Sequence, residues 1–440
     1  MKKVITYGTY DMLHYGHIRL LERAKALGDY LIVGVTADDY DKSRGKINVQ
    51  HSLSERIEAV RATGIADEVI VEEYEGQKID DIQKYDIDIF TVGSDWVGVF
   101  DYLNEYCKVI YLDRTQGVSS TELREKKSFL TLGVVGNSLY LNKVVHEVSY
   151  VNGIKITGIC TDNLDIFSDE VKNIEFATDS LEELAEKCSA LFVHSNPANH
   201  YHDIKRLLEL KKHILCEAPL CLNAEQWDEL HKLAVKNRCV LMDGLRTAYS
   251  TAFHRLLLLA KAKKIGKIYS IDVTCTSLKR NSEDFRSSIS DWGPTAMLPV
   301  FQILGVDYKQ KIITSHYSDK DKKIDTFTKI NFIYPDAVAS IKVGNGVKSE
   351  GDLVISGTEG YIYVPAPWWK TDYFEIRYEN LSDNKRYFYQ LDGEGIRAEF
   401  AVFSKTISNG SDYIYIDDVV SREICQIVGE VSAGKDVVMI

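Results

Sequence analysis

Short apolar runs and amphipathic segments alternate along the first 113 residues of the chain. Apolar runs predict strands at 3–7, 30–36, 68–71, 88–93 and 108–111, and apolar residues at helical spacing predict helices at 17–27, 52–64 and about 77–85. Strands that are apolar throughout and alternate with helices are typical of a parallel, doubly wound sheet. We therefore expect ligands to bind beyond the carboxyl ends of these strands.

The alternation restarts after a charged helix at 122–127. It predicts strands at 129–136, 154–161, 190–195, 213–216 and 239–242, and helices at 180–188, about 200–211 and 224–237. After about residue 246, a helix at 250–263 precedes period-two stretches at 268–276, 326–334, 338–343 and 373–378, which predict an antiparallel sheet with few helices. The expected class is α/β. A doubly wound domain at 1–127 precedes a Rossmann-like domain at 129–245 and an α+β domain with an open antiparallel sheet at 246–440.

Composition and charge limit the partners and the cellular location that we expect for this chain. The net charge of −12 over 440 residues argues against nucleic acid or a membrane surface as a partner. The eight cysteines form no Cys-x-x-Cys pair, which favours reduced thiols over a disulfide framework or a zinc site. Without a signal peptide or an apolar run of about 18 residues, we expect a cytoplasmic protein with no membrane insertion, assembled as a homodimer or higher homo-oligomer.

Two histidines follow the first strand, in the segment 8–17 that reads Gly-Thr-Tyr-Asp-Met-Leu-His-Tyr-Gly-His. His14 and His17 stand where a strand turns into a helix, and helix N-termini favour phosphate. Gly16 between them lets the backbone approach a ligand closely. Two imidazoles at this spacing can donate hydrogen bonds to one triphosphate as charge develops on it.

A second anion-binding segment is predicted at 114–121, which reads Arg-Thr-Gln-Gly-Val-Ser-Ser-Thr before a helix. Together with segments 3–11, 20–31 and 92–96, these motifs resemble the HxGH nucleotidylyltransferases, and residues 1–127 resemble the glycerol-3-phosphate cytidylyltransferases almost from end to end. The resemblance implies that a polyol phosphate attacks CTP, with Mg²⁺ on the phosphates, to give a CDP-polyol such as CDP-glycerol and pyrophosphate. Such a product serves the synthesis of a cell-surface polymer of the wall or capsule.

The same resemblance implies roles for individual side chains. Those expected to act in catalysis are His14, His17, Lys46 and Arg114. Those expected to bind the nucleotide are Thr9, Tyr10, Asp11, Gly16, Asp95, Arg114, Thr115, Ser119, Ser120 and Thr121. Candidates for the acceptor phosphate are Lys42, Arg44, Arg56 and Arg61, and the family has an arginine where this chain has Gly64, which leaves the polyol open. No residues predict a metal held by the protein itself.

The second half resembles the glucose–fructose oxidoreductase and inositol dehydrogenase family (Gfo/Idh/MocA). Segments 212–220, 241–246 and 264–268 carry this resemblance, and Gly357-Thr358-Glu359-Gly360 fits its C-terminal sheet. It implies an NAD(P) site, for which the candidate residues are Gly136, Ser138, Asp162 and Glu217.

Three parts of the oxidoreductase machinery are altered in this chain. Ser138 and Leu141 interrupt the Gly-x-Gly-x-x-Gly turn, Ala218 replaces the lysine of Glu-Lys-Pro, and Thr295 stands where the family has a histidine. Alanine cannot donate or accept the proton that hydride transfer requires. We therefore expect no ordinary dehydrogenase chemistry. Two alternatives stay open: an NAD(P)-dependent reductase that supplies the polyol phosphate to a bifunctional enzyme, and a non-catalytic binding or dimerisation module.

Overall fold

The structure is a computed structural model that describes residues 1–11, 13, 15–37, 49, 51–74, 76–113, 130–278, 287–319, 324–389, 391–409 and 414–440. For residues 95, 319 and 409 only the backbone is described. The chain divides into two compact units, Met1–Phe129 and Leu130–Ile440. The second unit is not divided further at residue 246, so the expected boundary there stays a prediction.

The described part of the first unit is a five-stranded parallel sheet with helices on both faces. Its strands are β1 (Lys3–Gly8), β2 (Tyr30–Thr36), β3 (Glu68–Glu72), β4 (Ile89–Gly93) and β5 (Lys108–Leu112), and its helices are α1 (Tyr15–Lys25), α2 (Leu53–Ala62) and α3 (Gln77–Tyr85). The strand order is β3-β2-β1-β4-β5, and every paired strand runs parallel to its neighbour. The doubly wound fold is confirmed.

Successive residues of β1 enter different cores because side chains alternate across a strand. Val4 packs in one apolar cluster with Leu21 of α1 and Val60 of α2. Ile5 packs in the other with Ile82 of α3. These two cores fix the carboxyl ends of β1 and β4, between which the strand order reverses. Ligands bind at such a reversal in open α/β sheets.

The second unit begins with a six-stranded parallel sheet in the order β11-β10-β9-β6-β7-β8. The strands are β6 (Leu130–Val135), β7 (Ile154–Cys160), β8 (Phe176–Thr178), β9 (Ala190–Val193), β10 (His213–Glu217) and β11 (Leu241–Gly244). The helices between them are α4 (Tyr140–Val148), α5 (Asp169–Lys172), α6 (Leu181–Lys187), α7 (Pro197–Glu209) and α8 (Ala224–Asn237). The Rossmann-like architecture is confirmed, although α4, α5 and β8 were not predicted.

The rest of the second unit is built on a sheet whose described strands follow the order β19-β18-β17-β16-β12-β15-β14-β13-β20. Its strands are β12 (Ile268–Ser277), β13 (Gln310–Asp319), β14 (Ile324–Ile333), β15 (Val338–Asn345), β16 (Leu353–Gly357), β17 (Tyr361–Val364), β18 (Tyr373–Arg377), β19 (Lys385–Phe388) and β20 (Val437–Met439). The helices are α9 (Thr251–Lys261), α10 (Ser288–Leu304), α11 (Ile396–Asn409) and α12 (Asp418–Ala433).

Two features of this sheet differ from the sequence prediction. It is mixed rather than wholly antiparallel, because β12 runs parallel to β15 and β13 runs parallel to β20. It is also better covered by helices than the period-two pattern indicated, since α10 packs on β12, β14 and β15 and α12 packs on α10. Within the described ranges, no helix is long and apolar enough to cross a membrane.

Candidate active site

The loop after β1 lies at the reversal of strand order in the first unit, as the histidine motif predicts. His17 is in the first turn of α1, and its half-buried imidazole meets the ring of Tyr10 edge-on, with 5.5 Å between ring centroids. Tyr10 is 2 % exposed, has a φ of 51°, and belongs to the core cluster that includes Val4 and Leu21. Tyr10 therefore anchors the loop to the core and positions His17, and the expectation that it contacts the nucleotide stays a prediction.

Asp11 ties this loop to the segment that precedes α2. Its Oδ1 accepts a hydrogen bond from the backbone N–H of His51 at 3.0 Å and lies 3.5 Å from His51 Nδ1. Ser52 then starts α2 with a capping box, in which its side chain accepts from Glu55 N–H and the Glu55 carboxylate accepts from Ser52 N–H. The carboxylate of Asp11 thus joins the first loop to a well-capped helix.

Arg56 holds three backbone segments together beneath the site. Its Nη1 donates to the carbonyls of Thr9 at 2.6 Å and Thr36 at 2.9 Å, and its Nε donates to the carbonyl of His51 at 3.2 Å. The side chain is only 1 % exposed. The prediction that Arg56 contacts the acceptor phosphate stays a prediction, whereas its observed contacts are those of a clamp that shapes the loop.

Arg61 and Gly64 are the other two positions in this segment that the acceptor-phosphate prediction involves. Arg61 is exposed and pairs with Glu58 one turn earlier on α2, at 2.8 Å. Gly64, at the position where the family has arginine, has a φ of 67°, a conformation that disfavours a side chain. The role of Arg61 at the acceptor phosphate stays a prediction, and the backbone at residue 64 is itself suited to glycine.

Several predicted site residues cannot be placed. His14, Lys42, Arg44, Lys46, Arg114, Thr115, Ser119, Ser120 and Thr121 lie outside the described residues. Asp95 lies in a short 3₁₀ turn, Ser94–Trp96, directly after β4, with only its backbone described. Gly16 lies in the first turn of α1 beside His17.

A buried ionic network below this edge of the sheet was not predicted from the sequence. Lys78, at the start of α3, forms an ion pair with Glu72 at the end of β3, and both side chains are almost fully buried. Thr36 Oγ1 donates to Glu72 Oε2 at 3.0 Å, and Tyr7 Oη donates to Asp81 Oδ2 at 2.8 Å. Because Thr36 also holds Arg56 through its carbonyl, the network connects the carboxyl ends of β2 and β3 to the clamp. The sequence feature that could have indicated this network is the presence of polar residues at the ends of adjacent strands.

In the second unit, the turn after β6 is held by close backbone packing and by side-chain hydrogen bonds within the protein. Gly136 has a φ of 141°, and a Cβ there would lie 2.3 Å from the carbonyl oxygen of His194, so packing alone requires glycine. Asn137 fills the next position, where its Nδ2 donates to Asp162 Oδ2 at 2.8 Å and its Oδ1 accepts from Thr161 Oγ1 at 2.7 Å. Ser138 follows, with its Oγ accepting from Tyr140 N–H at 3.3 Å.

His194, Tyr140 and Glu217 occupy the reversal of strand order in this sheet, between β6 and β9. The imidazole of His194 is 5 % exposed, its ring centroid is 4.9 Å from that of Tyr140, and its Nδ1 is 2.5 Å from Glu217 Oε2. A dinucleotide crosses an open α/β sheet at this reversal. Three side chains therefore lie at the reversal where a dinucleotide site is expected in this fold.

Further charged side chains lie close to these three. Arg246 donates from Nη1 to Tyr140 Oη at 2.8 Å. Glu399 of α11 is 3 % exposed, and burial raises its pKa from 4.5 to about 8 against the opposing effect of Arg246. Burial likewise raises the pKa of Asp243 from 3.8 to about 7. The carboxyl edge of this sheet therefore carries a buried network of polar and charged side chains.

The positions expected to carry hydride chemistry do not supply a proton donor. Ala218 is buried directly after β10, and Thr295 is half-buried in α10. Asp291 accepts from Asn345 Nδ2 at 2.8 Å, and the same amide accepts from Trp292 Nε1 at 2.9 Å. The family's lysine and histidine are therefore both absent, and the expected NAD(P) site stays a prediction.

Comparisons with known proteins match the first unit along its whole length. Residues 5–126 match the family model described as cytidylyltransferase-like. A glycerol-3-phosphate cytidylyltransferase from Bacillus spizizenii is 52 % identical over 130 residues, which are 30 % of this chain and 100 % of that protein. The enzyme of the same name from Bacillus subtilis is 48 % identical over 126 residues, 29 % of this chain and 97 % of its own.

The second unit matches a different family. Residues 130–245 match the model described as an oxidoreductase family with an NAD-binding Rossmann fold. The crystal structure of KijD10, a 3-ketoreductase from Actinomadura kijaniata in complex with NADP and TDP-benzene, superposes with a TM-score of 0.62 over 71 % of this chain and 100 % of that chain. The sequences are 15 % identical, so this likeness shows the fold alone.

The two matches lie side by side along the chain with almost no gap, at residues 5–126 and 130–245. The matched cytidylyltransferases are covered nearly or completely, so the first unit contains the entire length of such an enzyme. The chain therefore belongs to the glycerol-3-phosphate cytidylyltransferase family of nucleotidyltransferases, and it joins this domain to a divergent Gfo/Idh/MocA-type oxidoreductase-like unit.

Proposed function

We propose that residues 1–127 transfer a cytidylyl group from CTP to a polyol phosphate, either glycerol 3-phosphate or a close relative. An oxygen of the acceptor phosphate attacks the α-phosphorus of CTP, the bond to the β-phosphate breaks, and pyrophosphate leaves with the electron pair. No covalent bond to the protein is needed, so the protein contributes by positioning the reactants and stabilising charge. The observation that carries this proposal is the His17 loop at the strand reversal, within a domain that spans an entire cytidylyltransferase.

We assign the site residues to two roles. Some contact the phosphates, and others hold the loop in place. His17 is the group we assign to the developing charge, together with His14, Lys46 and Arg114 on the basis of the family resemblance. Tyr10, Asp11 and Arg56 hold the loop through ring packing and hydrogen bonds. We assign nucleotide contacts to Thr9, Gly16, Asp95, Thr115 and the hydroxyls at 119–121.

Magnesium enters this proposal with the nucleotide. The described residues contain no group of three or more histidines, cysteines and carboxylates that could hold a metal ion. Mg²⁺ commonly keeps several waters and binds through substrate phosphates and one or two carboxylates. We therefore assign it to the CTP phosphates, where it neutralises charge during the displacement.

The acceptor is tested by a panel of polyol phosphates. The full chain is incubated with CTP, Mg²⁺ and glycerol 3-phosphate, or with longer-chain polyol phosphates, and pyrophosphate release is measured. We expect release that depends on both CTP and one polyol phosphate. Release that is equally fast with no acceptor, or with every acceptor, would contradict the assignment of a specific phosphate site.

For the second unit, we propose that ordinary family dehydrogenase chemistry is absent. Ala218, Thr295 and the side chains at the strand reversal support this. Two alternatives follow from the fusion: a reductase that supplies the polyol phosphate, and a non-catalytic binding or dimerisation module. Thermal unfolding with and without NADH or NADPH discriminates them, because a ligand that binds only the native state must raise stability.

The cellular setting is also part of the proposal. A CDP-polyol made in the cytoplasm is an activated donor for a cell-surface polymer of the wall or capsule. The second unit in a homodimer or higher homo-oligomer would then bring two or more cytidylyltransferase domains together. Sedimentation of the full chain measures the oligomeric state directly.

A further inference from the structure

Three cations of the second unit converge on one carboxylate, that of Glu394. Lys143 Nζ lies 2.7 Å from Glu394 Oε1, Lys370 Nζ lies 3.0 Å from Oε2, and Arg246 Nη1 lies 3.8 Å from Oε2. One carboxylate neutralises only one of the three positive charges. Glu394 therefore leaves two of the three positive charges uncompensated.

Neighbouring charges reduce this excess without removing it. Glu217 also acts on Arg246, and its carboxylate lies against His194 Nδ1. Arg397 pairs with Glu147 at 2.7 Å, so these two side chains neutralise each other. Glu399 is the other carboxyl group that acts on Arg246 from α11, and burial keeps it largely protonated near neutral pH. The pKa of Glu394 itself is lowered, because the hydrogen bonds from Lys143 and Lys370 outweigh the effect of its partial burial.

Glu394 has a backbone conformation that residues other than glycine rarely adopt. Its φ is 52°, and it lies between Gly393 with a φ of 59° and Gly395 with a φ of 87°. A left-handed backbone costs a residue other than glycine roughly 1–2 kcal/mol. The glycines on both sides can change conformation at little cost. A carboxylate on such a segment is suited to leave the cations when a stronger anion arrives.

The cluster lies where a ligand can reach it. Lys143 is in the first turn of α4, which follows β6, and Arg246 lies two residues after the end of β11, so both come from the carboxyl edge of the parallel sheet. The side chains of Lys143 and Lys370 are each 36 % exposed, and Arg246 is 25 % exposed. Arg246 is also fixed by Tyr140, whose ring centroid is 5.3 Å from the guanidinium carbon.

We propose that Lys143, Arg246 and Lys370 form a binding site for the phosphate monoester of a small phosphorylated ligand, and that Glu394 occupies the anion position until the ligand displaces it. A phosphate monoester carries close to two negative charges near neutral pH, which matches the charge that Glu394 leaves uncompensated. Its oxygens can accept charge-assisted hydrogen bonds from all three cations, including a bidentate pair from arginine. This site is separate from cytidylyl transfer, since its residues all belong to the second unit.

Glu394→Gln is the sharpest test because it removes the resident charge and keeps the shape. Inorganic phosphate is titrated into the full chain by calorimetry, and hydrogen exchange is followed in peptides covering 391–397 and 368–371. We expect Glu394→Gln to bind phosphate at least tenfold more tightly than the parent chain, and the pair Lys143→Gln with Lys370→Gln at least tenfold more weakly. Lys155→Gln is the matched control, since Lys155 pairs with Glu175 at 2.6 Å in an exposed ion pair of the same unit. It should leave phosphate affinity unchanged.

The cytidylyltransferase domain is identical in all these variants, so only the second unit can account for differences among them. Two further ligands then identify the source of the phosphate. Tighter binding of glycerol 3-phosphate than of inorganic phosphate supports a polyol phosphate, and tighter binding of NADP⁺ supports a dinucleotide. Unchanged hydrogen exchange at 391–397 in saturating phosphate, or an affinity in Glu394→Gln that is no higher than in the parent chain, would overturn the proposal.

Discussion

Replacing Glu399 by glutamine tests the electrostatics of the cleft in the second unit. The carboxyl group is 3 % exposed, its Oε1 finds no hydrogen-bond partner among the described residues, and burial raises its pKa from 4.5 to about 8. The unfolded chain releases this proton near pH 4.5, whereas the folded chain keeps it until about pH 8. Between these values the folded state binds more protons, so the free energy of unfolding must fall as the pH rises.

The size of the effect follows from the raised pKa. One pH unit in this window is worth roughly 1.4 kcal/mol, so the rise from about pH 6.5 to about pH 8 should lower stability by roughly 2 kcal/mol, with little further loss above that. Asp243, whose pKa burial raises to about 7, adds a smaller fall over the same range. Glutamine at 399 is close in shape and does not ionise, so only the Asp243 contribution should remain.

The assay is urea unfolding of the full chain at about pH 6.5 and about pH 9, followed by tryptophan fluorescence. We expect Glu399→Gln to gain roughly 2 kcal/mol relative to the parent chain between the two pH values. Glu175→Gln changes an exposed carboxylate of the same unit and should leave the pH dependence as it is. An unchanged pH dependence in Glu399→Gln would refute the assignment of a buried, protonated carboxyl group.

Four further predictions concern the first unit. His17→Ala should lower turnover by on the order of a hundredfold, as for other lost donors to developing charge, while circular dichroism shows a folded chain; near-normal turnover would remove His17 from the site. His14→Ala should behave alike in the same assay. Pyrophosphate release should require a divalent metal and prefer CTP, and equal use of ATP would argue against a cytidine-selective site. Arg56→Lys keeps the charge but places every donor on one nitrogen in place of the guanidinium fork. The melting temperature should therefore fall together with turnover, and an unchanged melting temperature would contradict the clamp.

The doubly wound sheet of the first unit was predictable because each strand is a continuous apolar run between helices with clear ends. The observed β2, Tyr30–Thr36, coincides with its prediction, and α3 begins and ends where the pattern indicated, at Gln77 and Tyr85. The position of the histidine motif was also predictable, since its place after β1 follows from the order of elements. Local patterns suffice where each element carries its own signal.

Features that depend on contacts between distant segments were not predictable. Arg56 reads as a phosphate ligand in the sequence, but its buried position depends on carbonyls 20 and 47 residues away. The ion pair of Lys78 with Glu72 was not predictable either, because it also depends on how separate elements pack together. In the second unit, α10 was missed because Pro294 and Pro299 lie inside it, and proline normally ends a helix. The long apolar surface of α10 stabilises it through packing that a local pattern does not contain.

The central claim is that the first unit transfers cytidylyl groups while the second unit runs no ordinary dehydrogenase reaction. One mixture tests both parts: the full chain with CTP, Mg²⁺, glycerol 3-phosphate, a keto-polyol phosphate and NADPH, with pyrophosphate release and the absorbance of NADPH recorded together. We predict pyrophosphate release that depends on CTP and glycerol 3-phosphate, with no consumption of NADPH. Consumption of NADPH that requires the keto substrate and is lost on deletion of residues 129–440 would contradict the account of the second unit, and absence of pyrophosphate release with any polyol phosphate would contradict that of the first.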